Sequence, residues 1–200
     1  LYGLAGKAYS LKATYFHQMR QEKDSAITLF KKAYDYTLRS DVKQSAADMA
    51  ANTGDAYIFK DDLPKGAEWY RRALYLADSL NMSNKATASI YMGLGRIYTQ
   101  MQDYKSASKY YKDAEKQYDI MQPNMRIYFL NNYGNFYYYQ HDYTNALKMF
   151  LRMKDEIERT QGADGNDAND INLCRINLAD VYLNLGNIDS AQVLVDKCEP

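Results

Sequence analysis

The stretch "LGRIYTQMQDYKSASKYYKDA", Leu94 to Ala114, decides the fold because its pattern recurs along the chain. Shifted forward by 39 residues, it places Gly95 on Gly134 and Tyr111 on Phe150. Further copies lie 41 and then another 40 residues upstream, and 45 residues downstream of the fourth copy. A repeat of this length predicts one supersecondary unit stacked on its neighbours, because a single copy cannot bury its apolar face.

The copies keep small residues and rings in register. The small position holds Thr14, Gly54, Gly95, Gly134 and Ala179, and the ring three residues later belongs to His17, Tyr57, Tyr98, Tyr137 and Tyr182. Small residues let two helices approach closely, and large rings fill the space between helix pairs. We therefore predict that the tyrosine-rich run "NNYGNFYYYQHDY", residues 131–143, is mostly repeat core and not a platform for stacking bases.

Residues that break helices are rare, with 10 glycines and 3 prolines in 200 residues. The long segments between them favour an all-α fold, and their apolar spacing predicts two amphipathic helices per copy. The first helices are predicted at 2–19, 42–60, 83–101, 124–140 and 169–185, and the second helices at 22–38, 63–80, 104–119, 143–160 and 188–198.

On these residues the chain resembles the tetratricopeptide repeat (TPR) family. The stretch "LGRIYTQMQDYKSASKYYKDA" contains almost the complete residue pattern of that family. The resemblance implies a right-handed superhelical TPR solenoid of about five antiparallel helix pairs. One array is expected over residues 1–200, in units of about 1–40, 41–81, 82–121, 122–162 and 163–200. These units exceed the usual repeat of about 34 residues, and such extended units resemble the TPR sensor segments of bacterial signalling regulators.

Both ends of the sequence indicate a fragment of a longer protein. It begins at Leu1 and not at methionine, and the start is interrupted by Lys7 and Lys12, which does not fit a signal peptide. The last predicted helix is short and ends at "CEP" without a polar capping helix, which solenoids normally need. We expect an output domain to follow Pro200, and the exposed ends of the array to be capable of self-association.

Charge and composition exclude several partners. The 25 basic residues are balanced by 25 acidic ones, whereas nucleic-acid binding and polybasic membrane anchoring need a basic surplus. A lysine stripe at 105, 109, 112 and 116 alternates with acidic residues and is interpreted as a solvated helix face. No apolar run is long enough to span a membrane. We expect a protein or peptide partner, no nucleic acid, no membrane contact from this segment and no cofactor.

In the TPR family, three positions of each first helix face a concave groove, and the resemblance carries them over to this chain. Those chosen as candidate ligand-binding residues are Tyr15, Asp55, Arg96, Asn131, Asn135, Tyr138 and Asp180, with Asn52 and Asn177 at the edge of the groove. The other groove positions hold Leu11, Gln18, Ala51, Ile58, Met92, Thr99, Ile176 and Leu183, and Asn132 is a further edge residue. Asparagine amides match the donors and acceptors of an extended peptide backbone.

The predicted function is a non-catalytic module that binds a peptide or protein segment in this groove, as the sensing or regulatory part of a bacterial signalling protein. The alternative is a passive scaffold or adaptor that assembles a complex. An alternative for Asp55 and Arg96 is an ion pair between neighbouring helices. Enzyme activity is not expected, because neither His17 nor His141 has a nucleophile beside it in the sequence.

Two smaller features complete the sequence. Cys174 and Cys198 match no metal or redox spacing, and two readings stay open: two buried thiols, or a disulfide within the last helix pair. Asp164 and Asn166 fall in a loop with a partial calcium-binding pattern. Because Arg175 stands where a bidentate glutamate belongs, no metal site is predicted.

Overall fold

A computed structural model describes residues 1–41, 43–82, 84–161 and 168–198, and all regular structure within them is helical. Ten α-helices form five antiparallel pairs. They are α1 (Tyr2–Tyr15), α2 (Lys23–Leu38), α3 (Gln44–Phe59), α4 (Leu63–Ser79), α5 (Asn84–Gln100), α6 (Tyr104–Glu115), α7 (Pro123–Tyr139), α8 (Tyr143–Gln161), α9 (Ala168–Asn184) and α10 (Ile188–Val195). The predicted all-α fold with two helices per repeat is therefore confirmed.

The helix bounds differ from the prediction only near their ends. The first helix becomes a π-helical turn at Phe16–Arg20, where the sequence pattern predicts continuous α-helix. The sixth ends at Glu115 and is followed by a 3₁₀ turn at Tyr118–Ile120. Both changes are local tightening or widening of a helix end, which apolar spacing does not report.

One turn geometry closes every helix pair. The residue before the second helix's N-cap has a positive φ in all five pairs: Gln21, Asp61, Gln102, His141 and Gly186. The next residue then caps the helix, as Asp103 does by accepting from the backbone N–H of Ser106 at 3.1 Å. Asp62, Asp142 and Asn187 do the same in their pairs. This cap satisfies a donor that the first helical turn leaves open, and the chain reverses at the same place in each repeat.

The chain divides into two compact units, and the first is Leu1–Gln117 with α1 to α6. Its core contains both alanines and large aromatic rings. The alanines let the helices approach closely, and the rings fill the remaining space between them. The buried residues include Ala13, Ala26, Phe30, Ala50, Tyr57, Trp69, Tyr70, Ala73, Leu94 and Ile97. Successive helices contact each other along the unit, and the first helices α3 and α5 also touch.

The second unit is Tyr118–Pro200 with α7 to α10. Its core is formed by Phe129, Leu130, Phe136, Phe150, Met153, Ile157, Leu178 and Val181, all of them buried. Gly134 of α7 faces the ring of Phe150, and a Cβ added there would lie 2.7 Å from Cζ of that ring. The repeat's small and aromatic positions therefore touch each other directly, as their register in the sequence predicts.

Both cysteines of the second unit are free thiols. The thiol of Cys174 is buried and donates to the carbonyl oxygen of Phe150 at 3.5 Å. Burial raises the pKa of the Cys174 thiol to about 12. Cys198 is only partly buried, which departs from the interpretation of two buried thiols.

We expect alkylation to separate the two cysteines. Thiolate is the reactive form, and with a pKa raised to about 12 the Cys174 thiol stays protonated at pH 8. Iodoacetamide should therefore add one group to the native chain, at Cys198, and a second only in denaturant, as read by intact-mass spectrometry. The variant Cys198→Ser should add none while native. Equal labelling rates for both thiols in the native chain would contradict the buried position of Cys174.

Candidate functional site

Several of the predicted groove and edge residues of the second unit line one pocket. Its volume is about 150 Å³. It is lined by Asn135, Tyr138 and Tyr139 of α7, Phe150 of α8, and Asn177 and Asp180 of α9. Four of these six residues were chosen from the sequence. We call this cavity the Asn–Tyr pocket.

An amide pair fixes one side of the Asn–Tyr pocket. The side-chain N–H of Asn177 donates to the side-chain oxygen of Asn131 at 2.7 Å, which joins α9 to α7. Asn131 is thus placed beside the pocket and orients one of its lining residues. Because this hydrogen bond uses the amide nitrogen of Asn177, the amide oxygen of Asn177 can still accept a hydrogen bond from another group.

Two polar side chains of the pocket are unpaired within the described part of the chain. Among the residues that the structure describes, the side-chain amide of Asn135 and the carboxylate of Asp180 have no hydrogen-bond or ion-pair partner. Both belong to adjacent first helices, α7 and α9, which contact each other. Asp180 is exposed and Asn135 is partly exposed, so both groups are accessible to a ligand.

Aromatic rings form the rest of the wall. Tyr138 packs edge-on against Tyr139 and Tyr143, with ring centroids 6.0 and 5.5 Å away. Its hydroxyl oxygen accepts from the side-chain N–H of Asn184 at 3.4 Å. Sequence reasoning missed Asn184, although it lies one helical turn after Asp180 and so on the same face.

In the first unit, the candidate residues Asp55 and Arg96 satisfy each other. The Arg96 guanidinium on α5 forms an ion pair with the Asp55 carboxylate on α3. The hydroxyl of Tyr70 on α4 also donates to Asp55, at 2.8 Å. This is the ion pair between neighbouring helices that the sequence offered as an alternative. The register of the repeat does not indicate this hydrogen bond of the Tyr70 hydroxyl.

The other chosen residues of the first unit are more isolated. Tyr15 is half exposed and packs edge-on against Phe16, with ring centroids 5.7 Å apart. Asn52 is partly buried on α3. The structure places neither of them in a described cavity, and both stay predictions.

Three assignments to the groove or its edge are wrong. Met92 and Thr99 are buried on α5, whose neighbour α3 contacts it, and Thr99 turns its hydroxyl back to the carbonyl of Gly95 at 2.8 Å. Asn132 is also buried, and its side-chain N–H donates to the carbonyl of Tyr128 at 2.7 Å. The repeat register predicts the direction of each Cβ. It does not predict whether the side chain packs against a neighbouring helix or forms a hydrogen bond to the backbone of its own helix.

The described part of the chain has neither a metal-binding cluster nor a membrane-spanning helix. There, no group of three or more His, Cys, Asp or Glu side chains is placed to hold a metal ion. No helix in the same residues combines the length and apolarity needed to cross a membrane. Asp164 and Asn166, which carry the partial calcium pattern, lie outside the described residues.

Comparison with known proteins gives a family match over part of the chain and a fold over nearly all of it. Residues 45–119 match the family model described as Tetratricopeptide repeat. No curated protein sequence matches the chain. Among solved structures, BtubC (BKLC) from P. vanneervenii is 22% identical, with 98% of this chain and 79% of that chain covered and a TM-score of 0.84.

Two further solved structures of similar fold are described by what they bind. A Rap protein complexed with Competence and Sporulation Factor is 15% identical, with 98% of this chain and 53% of that chain covered and a TM-score of 0.81. YrrB, a TPR protein with an unusual peptide-binding site, is 19% identical, with 95% and 82% covered and a TM-score of 0.53. Residues 45–119 are therefore similar to the tetratricopeptide repeat family, and the chain has the fold of these repeat structures over nearly its whole length.

Proposed function

We propose that the chain is a non-catalytic module that binds an extended peptide or protein segment at the Asn–Tyr pocket. The observation that carries this is a pair of polar side chains, Asn135 and Asp180, that line one cavity from two contacting helices and have no partner among the described residues. The side-chain amide of Asn135 offers both a donor and an acceptor, which suits the alternating N–H and C=O groups of a peptide backbone. The rings of Tyr138 and Tyr139 add apolar contact area beside them.

Two comparisons support a peptide or protein ligand. One solved structure of similar fold is a Rap protein in complex with Competence and Sporulation Factor, and another is named for its peptide-binding site. By this analogy the chain is the sensing or regulatory segment of a bacterial signalling protein. Fold likeness alone does not decide function, so the pocket's own residues carry the proposal.

A phage-displayed heptapeptide library selected on the whole chain tests this proposal. The best selected peptide, labelled with fluorescein, is measured by fluorescence polarisation. Each lost hydrogen bond is worth about 1 kcal/mol, so the double variant Asn135→Ala/Asn177→Ala should weaken binding by roughly tenfold or more. Circular dichroism should show unchanged helicity.

The matched control is Asn124→Ala. Asn124 is an exposed asparagine of the same helix, α7, outside the pocket. Its replacement should leave peptide affinity unchanged. Equal affinity for wild type and the double variant would move the binding site elsewhere and reject the Asn–Tyr pocket.

The alternative function is a passive scaffold, which uses the same pocket without a change of shape. A sensing module must bind the peptide better in one conformation than in another, because a ligand with equal affinity for both shifts nothing. Hydrogen exchange on the whole chain with the selected peptide separates the two. Altered protection in helices that do not line the pocket favours sensing, and changes confined to α7, α8 and α9 favour a scaffold.

A further inference from the structure

The Asn–Tyr pocket carries an unbalanced negative charge. Asp180 brings a carboxylate, and none of the six lining residues is basic. Arg175, on the same helix, donates instead to the side-chain oxygen of Asn172 at 3.1 Å and to the carbonyl of Lys197 at 2.7 Å. The carboxylate therefore has no counter-ion from the described residues around it.

The first unit shows what balances such a carboxylate elsewhere in the chain. Asp55, Arg96, Asn135 and Asp180 occupy one repeat position, directly after the small residue of their copies. In the first unit, that position pairs Asp55 with the guanidinium of Arg96 on the next first helix. In the second unit the same position sets an amide, Asn135, beside Asp180 in the pocket lining. A cation is present in one case and missing in the other.

The other groups of the pocket also suit a cation. The amide oxygens of Asn135 and Asn177 are acceptors without a recorded donor among the described residues. The rings of Tyr138 and Tyr139 lie in the same lining, and a ring face attracts a cation. A guanidinium presents five N–H donors in one plane, so it can serve a carboxylate and two amide oxygens together.

We propose that the Asn–Tyr pocket is a specificity pocket for a basic side chain of the bound peptide, arginine before lysine, with Asp180 as its counter-ion. This rests on the proposed function, because the side chain arrives on a peptide held at the same site. Asp180 then forms with the ligand the kind of ion pair that Asp55 forms with Arg96.

The test uses an acetylated and amidated glycine–serine heptapeptide with one central guest residue: arginine, lysine, citrulline or glutamate. Binding to the whole chain is followed by NMR through the side-chain amide signals of Asn135 and Asn177. Citrulline has the shape of arginine without its charge. Arginine should bind at least about fivefold more tightly than citrulline, lysine should fall between them and glutamate should bind least.

The variant Asp180→Asn keeps the shape of the side chain and removes its charge. It should lower the affinity for the arginine peptide about fivefold and erase the difference between arginine and citrulline. Asp155→Asn is the matched control, since Asp155 is exposed on α8 and does not line the pocket. It should preserve the preference.

The outcomes separate the two proposals. Equal binding of the four guests, or a preference for glutamate, overturns the basic specificity while the peptide selected by display still binds at Asn135 and Asn177. Preference for arginine that persists in Asp180→Asn also overturns it, because another group then supplies the charge. Absence of binding by both the guest peptides and the displayed peptide rejects the proposed function together with this inference.

Discussion

Replacing Gly93 by alanine is expected to lower the free energy of unfolding by about 2 kcal/mol. A Cβ at this position would lie 2.7 Å from the hydroxyl oxygen of Tyr70 and still closer to its ring. The ring cannot retreat, because Gly54 contacts its other side, where an added Cβ would lie 2.8 Å from Cε2. The hydroxyl is also held by its hydrogen bond to Asp55. The gain in helix propensity from glycine to alanine, about 1 kcal/mol, offsets only part of this overpacking.

Urea denaturation followed by circular dichroism measures this change, with Gly3→Ala as the matched control. Gly3 is also helical, but the nearest atom to its added Cβ is 3.8 Å away, so that variant should be neutral or slightly stabilised. Adding Tyr70→Leu to Gly93→Ala should recover part of the loss in a double-mutant cycle. Equal stability of the two alanine variants would show that Tyr70 is not clamped between α3 and α5.

Removing the carboxylate of Glu156 is expected to cost about 3 kcal/mol. This side chain of α8 is only 7% exposed and faces Arg126 of α7 at 3.5 Å and Arg159 at 2.6 Å. In Glu156→Ala the Arg126 guanidinium, itself 20% exposed, loses its counter-ion. Arg126 also donates to the carbonyl oxygens of Tyr118 and Asp119, so the disturbance reaches the 3₁₀ turn before α7.

Thermal unfolding by calorimetry measures this effect, and Glu158→Ala provides the comparison on the same helix. Glu158 forms an ion pair with Lys154 at 3.1 Å, but its side chain is 39% exposed. An exposed pair of this kind contributes at most about 0.5 kcal/mol, so the melting temperature should hardly move. Similar losses for both variants would contradict the structural role assigned to Glu156.

The sequence predicted the parts of the fold that a repeat determines. Aligning Gly134 with Gly95 places each small residue against a ring, and the structure has Phe150 on one and Tyr111 on the other. Two helices per repeat follow from the same register. The π-helical turn at Phe16–Arg20 did not follow, because it depends on backbone geometry that apolar spacing does not encode.

For the candidate site, the sequence predicted which helix face the residues occupy but not which side chains pair with each other. Register placed Asn135, Tyr138 and Asp180 on one face, and they do line one pocket. The same register also put Met92 and Thr99 in the groove, where neighbouring helices cover them. Whether an acidic side chain forms an ion pair within the protein depends on the distance between helices that are far apart in sequence. Asp55 and Arg96, for example, are 41 residues apart.

The repeated turn between paired helices bears on how the chain folds. In each pair a residue with positive φ reverses the chain within a few residues, in four of them followed by a capping side chain, and the paired helices are neighbours in sequence. Contacts of short sequence separation cost little loop-closure entropy and form quickly. Each hairpin can therefore act as a separate nucleus, and we expect folding to begin at several places before the hairpins dock onto one another.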